Sequence, residues 1–249
     1  MATTSPIVTL RIPMHSSRPS SLPKPSNFAP RTAIIAVGLA STILFMQTGR
    51  AAAVEIPSVT LSPSPAAPFI GTGTTIAVTF QNTGTSPGYG PYADLQLPPG
   101  LTYSSANFLG TGVTPLLIQT CASGTFTHPL TGLATPCATG SQVIVLQYPF
   151  GSFTPGQPSA TINVATTLAA SPASLVGASM PITASSGFAY GFSPTGTVPT
   201  TATLTTTSIT PILYTLSKSV AAPDNETATG PNYPRTWTIN SAIAPGQTL

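Results

Sequence analysis

Proline and glycine interrupt almost every window of this chain, and that punctuation decides what it can become. There are 29 prolines and 21 glycines in 249 residues, about one residue in five and well above ordinary usage. Proline removes a helical hydrogen bond and glycine is costly in a helix interior, so long helices find little room. The uninterrupted stretches are rich in Thr, Val and Ile, which favour strands. Hydrophobic residues still make up 41% of the chain and charged ones only 4%. A charged disordered tail is thereby excluded, and an all-β fold is expected.

The strands can be read from alternation. In Thr75-Ile-Ala-Val-Thr-Phe-Gln81, the residues Ile76, Val78 and Phe80 share one face, the period-2 pattern of a half-buried strand. Ala93, Leu95 and Leu97 do the same, with Asp94 and Gln96 facing out. Val143 to Tyr148 is apolar on both faces, as a central strand would be. Ile162, Val164 and Leu168 fall on one face of the next segment, and Ala202 with Leu204 opens a weaker, Thr-rich one. Asn82-Thr83-Gly84, Pro98-Pro99-Gly100 and Pro155-Gly156 supply turns between them. Many short strands separated by turn signals predict a β-sandwich over residues 54–211. A fresh strand at Ile212–Val220 and another over Pro231–Ile239, with Trp237 and Ile239 inward, then read as the start of a second, incomplete module at 212–249. Two strands make no sandwich core, so a truncated tandem array is expected.

The formal net charge of +3 conceals an asymmetry. Arg11, Arg18, Lys24, Arg31 and Arg50 precede residue 54; beyond it stand only Lys218 and Arg235, against Glu55, Asp94, Asp224 and Glu226. Two cations cannot neutralise a run of phosphates, so nucleic acid is rejected as a partner. Residues 1–31 are basic, free of acids and rich in Ser and Pro; Ala33–Met46 is apolar; Ala51-Ala52-Ala53 is small. That order is a secretory signal over residues 1–53, with cleavage near Ala53. Left uncleaved, Thr32–Gly49 would be an anchor and the only expected contact with a membrane. The long Ser-rich front also resembles a plastid transit peptide.

Cys121 and Cys137 are the only cysteines. An even count in an exported chain predicts a disulfide, stapling an excursion between strands at a gain of about 3 kcal/mol. Zinc would need about four ligands, and only His128 lies nearby; no metal and no cofactor is expected. Asp224, Asn225 and Glu226 are better read as a solvated turn than as a calcium site, and Asn225-Glu226-Thr227 is a glycosylation sequon. An internal isopeptide within the first module is rejected, because no lysine precedes Lys218 past the leader.

Catalysis has few resources. Asp94 and His128 with a serine would make a hydrolase triad, the least favoured of three functions; otherwise Asp94 is a solvated strand residue and His128 a loop residue before Pro129. The aromatic run Phe188-Ala-Tyr-Gly-Phe192 would place Phe188, Tyr190 and Phe192 on one strand face. Such a stripe either stacks on sugar rings or packs into the core. Tyr89 and Tyr92, beside Gly88, Gly90 and Pro91, are expected as exposed loop contacts.

Asn82-Thr83-Gly84 followed by Leu97-Pro-Pro-Gly-Leu-Thr-Tyr103 resembles the signature of the conserved repeat domain of bacterial surface proteins, also called domain of unknown function eleven. Pro155-Gly-Gln-Pro-Ser-Ala-Thr-Ile-Asn-Val164 is similar to a later strand of such repeats. Leu216-Ser-Lys-Ser-Val-Ala-Ala-Pro223, Glu226-Thr-Ala-Thr-Gly230 and Tyr233-Pro-Arg-Thr-Trp-Thr-Ile239 resemble the opening of the next one. The chain departs from the pattern at Leu95-Gln96-Leu97, where an acid commonly precedes Leu-Pro, and in its Cys-bounded insertion. The resemblance implies tandem immunoglobulin-like sandwiches in the bacterial envelope rather than a plastid. A non-catalytic spacer, stalk or adhesive module is therefore expected, secreted or at the cell surface, its partner a surface protein or a glycan. A carbohydrate-binding module using the aromatic residues is the alternative.

Overall fold

The computed structural model describes residues 53–171, 175–202, 204–221 and 236–248. Residues 1–52 of the expected secretory signal, the Asp224–Glu226 cluster with its sequon, and Arg235 lie outside them. No helix among the described residues is long and apolar enough to cross a membrane.

The chain opens with β1 (Pro57–Ser64) and β2 (Gly73–Asn82), then a short β3 (Gly88–Tyr89) and β4 (Pro91–Leu97). β5 (Leu101–Phe108) and β6 (Thr111–Gly112) follow, then β7 (Leu117–Thr120), the small hairpin β8 (Thr125–Thr127) and β9 (Ala134–Pro136), and β10 (Gln142–Gln147). After β11 (Ser152–Phe153) come β12 (Ala160–Leu168), β13 (Met180–Phe188), β14 (Thr200–Thr201), β15 (Thr205–Ile209), β16 (Tyr214–Ala221) and β17 (Thr236–Ile243).

One sheet runs β1-β2-β12-β5-β6 and the other β14-β13-β4-β10-β7, with β15 also on β13. Lettered A to G, the strands β1, β2, β4, β5, β12, β13 and β15 give A-B-E-D facing G-F-C. That is the immunoglobulin order. The hairpin of β7 and β10 enters between D and E and extends the second sheet beyond C. Between its arms, β8 and β9 pair with each other.

Alternation builds the core as the sequence predicts. Ile76, Val78, Phe80, Ile162 and Val164 from one sheet meet Leu95, Leu97, Ile144, Leu146 and Ile182 from the other, all buried. Phe80 is the aromatic hub, with ring centroids 5.1 Å from Tyr148, 5.2 Å from Phe153 and 5.4 Å from Phe188. The Tyr148 hydroxyl donates across to the Val78 carbonyl at 2.9 Å. A buried phenol thus keeps its hydrogen bond while its ring fills the core, and burial raises its pKa.

Three expectations change. Ala202 and Leu204 do not open a strand: they lie between β14 and β15, and Leu204 is exposed. Trp237 and Ile239 do not point inward. They stand 52% and 65% exposed on the ribbon of β16 and β17, with the Lys218 ammonium 4.0 Å from the centre of the Trp237 ring. The ribbon is tied to the sandwich at its base, where Ala244 is buried in the core and Leu213 packs against it. Finally, β4 is buried on both faces, although only one face looks toward the opposite sheet.

Candidate functional site: a buried Asp–His pair beside a groove

The second burial of β4 comes from the stapled excursion. Cys121 follows β7 and Cys137 follows β9; they form a disulfide with Cα atoms 6.1 Å apart. The closed loop lies over the outer face of the second sheet, where Cys121, Phe126, Val143 and Val145 form a small separate core. Gln96 fastens it: its amide nitrogen donates to the Pro136 carbonyl at 3.2 Å, and its amide oxygen accepts from Ala138 N–H at 3.0 Å. Neither Asp94 nor His128 is therefore solvated; they are 3% and 1% exposed.

The two side chains meet, His128 Nε2 standing 3.0 Å from Asp94 Oδ1. The other nitrogen decides the chemistry. His128 Nδ1 faces the backbone N–H groups of Leu130 and Thr131, at 3.2 and 3.3 Å. Two donors directed at Nδ1 require a lone pair there, so the proton sits on Nε2 and is donated to Asp94. The ring is neutral and caps its own turn, which Gly132 N–H closes onto the His128 carbonyl. Ser185, on β13, donates to the second carboxylate oxygen, Asp94 Oδ2, at 3.4 Å. The serine is thus on the acid and not on the imidazole. A hydrolytic triad needs the imidazole between serine and acid; here the acid is between the other two, and no imidazole nitrogen is left to take a proton.

Tyr92 completes the cluster, its ring 4.5 Å from that of His128. It is buried on β4, not exposed in a loop, because it lies over its cross-strand partner Gly187. A Cβ at Gly187 would stand 2.4 Å from the tyrosine Cζ, so only glycine leaves room for the ring. Burial first, and then the charge of Asp94, raise the Tyr92 pKa. The aromatic run also divides. β13 ends at Phe188 and the chain turns; Phe188 is buried over Gly88, whose Cβ would meet its ring at 2.3 Å. Tyr190 and Phe192 lie past the turn, 42% and 73% exposed, and Tyr89 is half-buried. Three aromatics on one strand face do not exist, since the strand stops at the first.

Beside the pair runs a groove of about 580 Å³. Asp94 and Gln96 of β4 and Thr183 and Ser185 of β13 line it, together with Leu133 of the excursion and Leu204 of the β14–β15 connection. Sequence reading missed Ser185, Thr183 and Leu204 as members. The signal present was the small polar alternation on the outer face of β13. No group of three or more metal-ligating side chains occurs among the described residues.

The chain is thus an immunoglobulin-like β-sandwich carrying a disulfide-closed excursion on one outer face. No protein-family model and no curated protein matches it. Among solved structures it is similar to a cohesin module from a Clostridium perfringens family 33 glycoside hydrolase, at 7% identity and TM-score 0.39, covering 64% of this chain and 98% of that one. It is also similar to BcpA, the major pilin subunit of Bacillus cereus, at 8% identity and TM-score 0.34, covering 76% of this chain and 56% of that one. A third similarity is to a C-terminal fragment of the major pilin GBS80 of Streptococcus agalactiae, at 10% identity and TM-score 0.36, covering 69% and 60%. The strand order, rather than these distant likenesses, defines the fold.

Proposed function

We propose that the chain is an exported, non-catalytic module of a bacterial surface protein, a spacer, stalk or adhesive element that acts through its shape. The observation that carries this reading is the state of His128. The histidine past the leader spends both ring nitrogens on structure, one on Asp94 and one on a turn, leaving no general base for a hydroxyl. The disulfide suits an oxidising compartment, and the resemblance to the conserved repeat domain supplies the setting, including the reading of residues 212–249 as the start of a further repeat. The test has two parts. Exported protein should begin near Val54 and carry the Cys121–Cys137 bond by mass spectrometry; material retained in the cytoplasm with two free thiols overturns the reading. A fluorophosphonate probe should leave Ser185 unlabelled, whereas labelling would restore the hydrolase.

A carbohydrate-binding role keeps one favourable observation, the exposure of Tyr190 and Phe192. Glycan binding that Phe192→Ala abolishes would support it. Phe188 and Tyr92 are buried and contribute no stacking surface.

A further inference from the structure

The groove beside Asp94 has chemistry that the fold does not use. Among the described residues lining it, Asp94 carries the only charge. No lysine or arginine occurs between Ile56 and Ser217, so nothing in the sandwich itself supplies a counter-ion. The tautomer of His128 leaves the pair without a cation: a neutral imidazole donates one hydrogen bond to Oδ1 and brings no positive charge to the carboxyl group. On Oδ2 there is only the 3.4 Å bond from Ser185, well short of what an ionised carboxylate can accept. A buried carboxylate without a cation is costly. A ligand cation arriving at Oδ2 would replace lost hydration with a charge-assisted hydrogen bond.

The walls say what should carry the cation. Leu133, from the excursion, and Leu204, from the β14–β15 connection, are 53% and 58% exposed, with Ala134, Pro136 and Ala202 also lining the groove. An alkyl stem lies well between such walls while its head reaches the polar floor. The space is much larger than one such stem, and the leucines extend apolar surface to the rim. A free amine would leave that rim wet; a side chain presented by a polypeptide would cover it. The geometry points to the groove as the docking site for a lysine side chain of a partner protein, with the ammonium on Asp94 and the flanking partner residues on Leu133 and Leu204. This rests on the adhesive reading of the module given above and specifies its partner chemistry.

The test is a titration of the isotope-labelled, disulfide-bonded chain followed by amide chemical shifts, with three probes. Nα-acetyl-lysine methylamide should shift Gln96, Ser185 and Leu204 saturably. Its norleucine analogue, which has the stem without the ammonium, should leave them unmoved. Butylamine, with head and stem but no backbone, should bind at least about threefold more weakly. Asp94→Asn should weaken the lysine probe by about tenfold or more. Because that change also touches His128, Leu204→Ser on the exposed wall serves as a second variant, expected to cost about threefold with an unchanged melting temperature. Equal shifts from lysine and norleucine, or none from either, overturn the site. Butylamine binding as tightly as the lysine probe overturns the protein partner in favour of a small amine. These outcomes are separate from fluorophosphonate labelling of Ser185, which would sink the non-catalytic reading and leave the lysine site standing.

Discussion

The two faces of the second sheet are buried by different means. On the inner face, Leu95, Leu97, Ile144, Leu146 and Ile182 meet the opposite sheet in an apolar core. On the outer face, Asp94 and Gln96 are buried beneath a loop that carries the buried His128, that a disulfide closes and that side-chain hydrogen bonds fasten. The inner face is stabilised by area, which tolerates conservative exchange. The outer face depends on pairing: each of its polar groups is inexpensive when bonded and costly when its partner is removed. A burial fraction alone would not distinguish them.

The comparison can be broken most severely at the pair itself. His128→Ala should cost about 3–5 kcal/mol, since it leaves a cavity in place of the ring and takes a hydrogen bond from the buried Asp94 side chain; urea denaturation measures it. Combining it with Asp94→Asn should recover much of that loss, and simple additivity would show that the two groups do not depend on each other. Next is the staple. Cys121→Ser with Cys137→Ser should cost about 3 kcal/mol and loosen the outer face first, seen as faster amide exchange in β8 and β9 than in β2 or β12. Equal acceleration everywhere would erase the distinction between the faces. A smaller effect of opposite sign is expected inside. Ser186 is buried on the core side of β13 and its hydroxyl has no partner, so Ser186→Ala should stabilise by about 1 kcal/mol. The least effect belongs to the ribbon, where Trp237 is half exposed: Trp237→Ala should change the unfolding free energy of the sandwich by no more than about 0.5 kcal/mol. A larger loss would mean that the ribbon unfolds with the sandwich as one unit.

Much of this was legible in the residues. The alternation of Ile76, Val78 and Phe80 places that face in the core, and the two apolar faces of Val143–Leu146 anticipate that β10 is covered on both sides. The cysteine pair was readable as a bridge because Cys121 and Cys137 are the only two cysteines in the sequence. Asp94 and His128 could be named together, yet their roles could not: whether serine joins the histidine or the acid depends on which ring nitrogen the Leu130 and Thr131 amides occupy. The aromatic run misled because alternation says which way a side chain points only while the strand continues, and at Gly191 it has already ended.

Strand alternation is a local property, written within a few residues, and it determined by itself which face of each strand could be apolar and where the chain must turn. What comes to lie over an outward face is non-local. His128 reaches Asp94 from 34 residues away and Ser185 from 91, and only the folded chain could convert two polar faces into a buried pair and a groove. The reason is physical: a side chain's direction is set by its own backbone, whereas its solvent is set by whatever else the chain brings to that place.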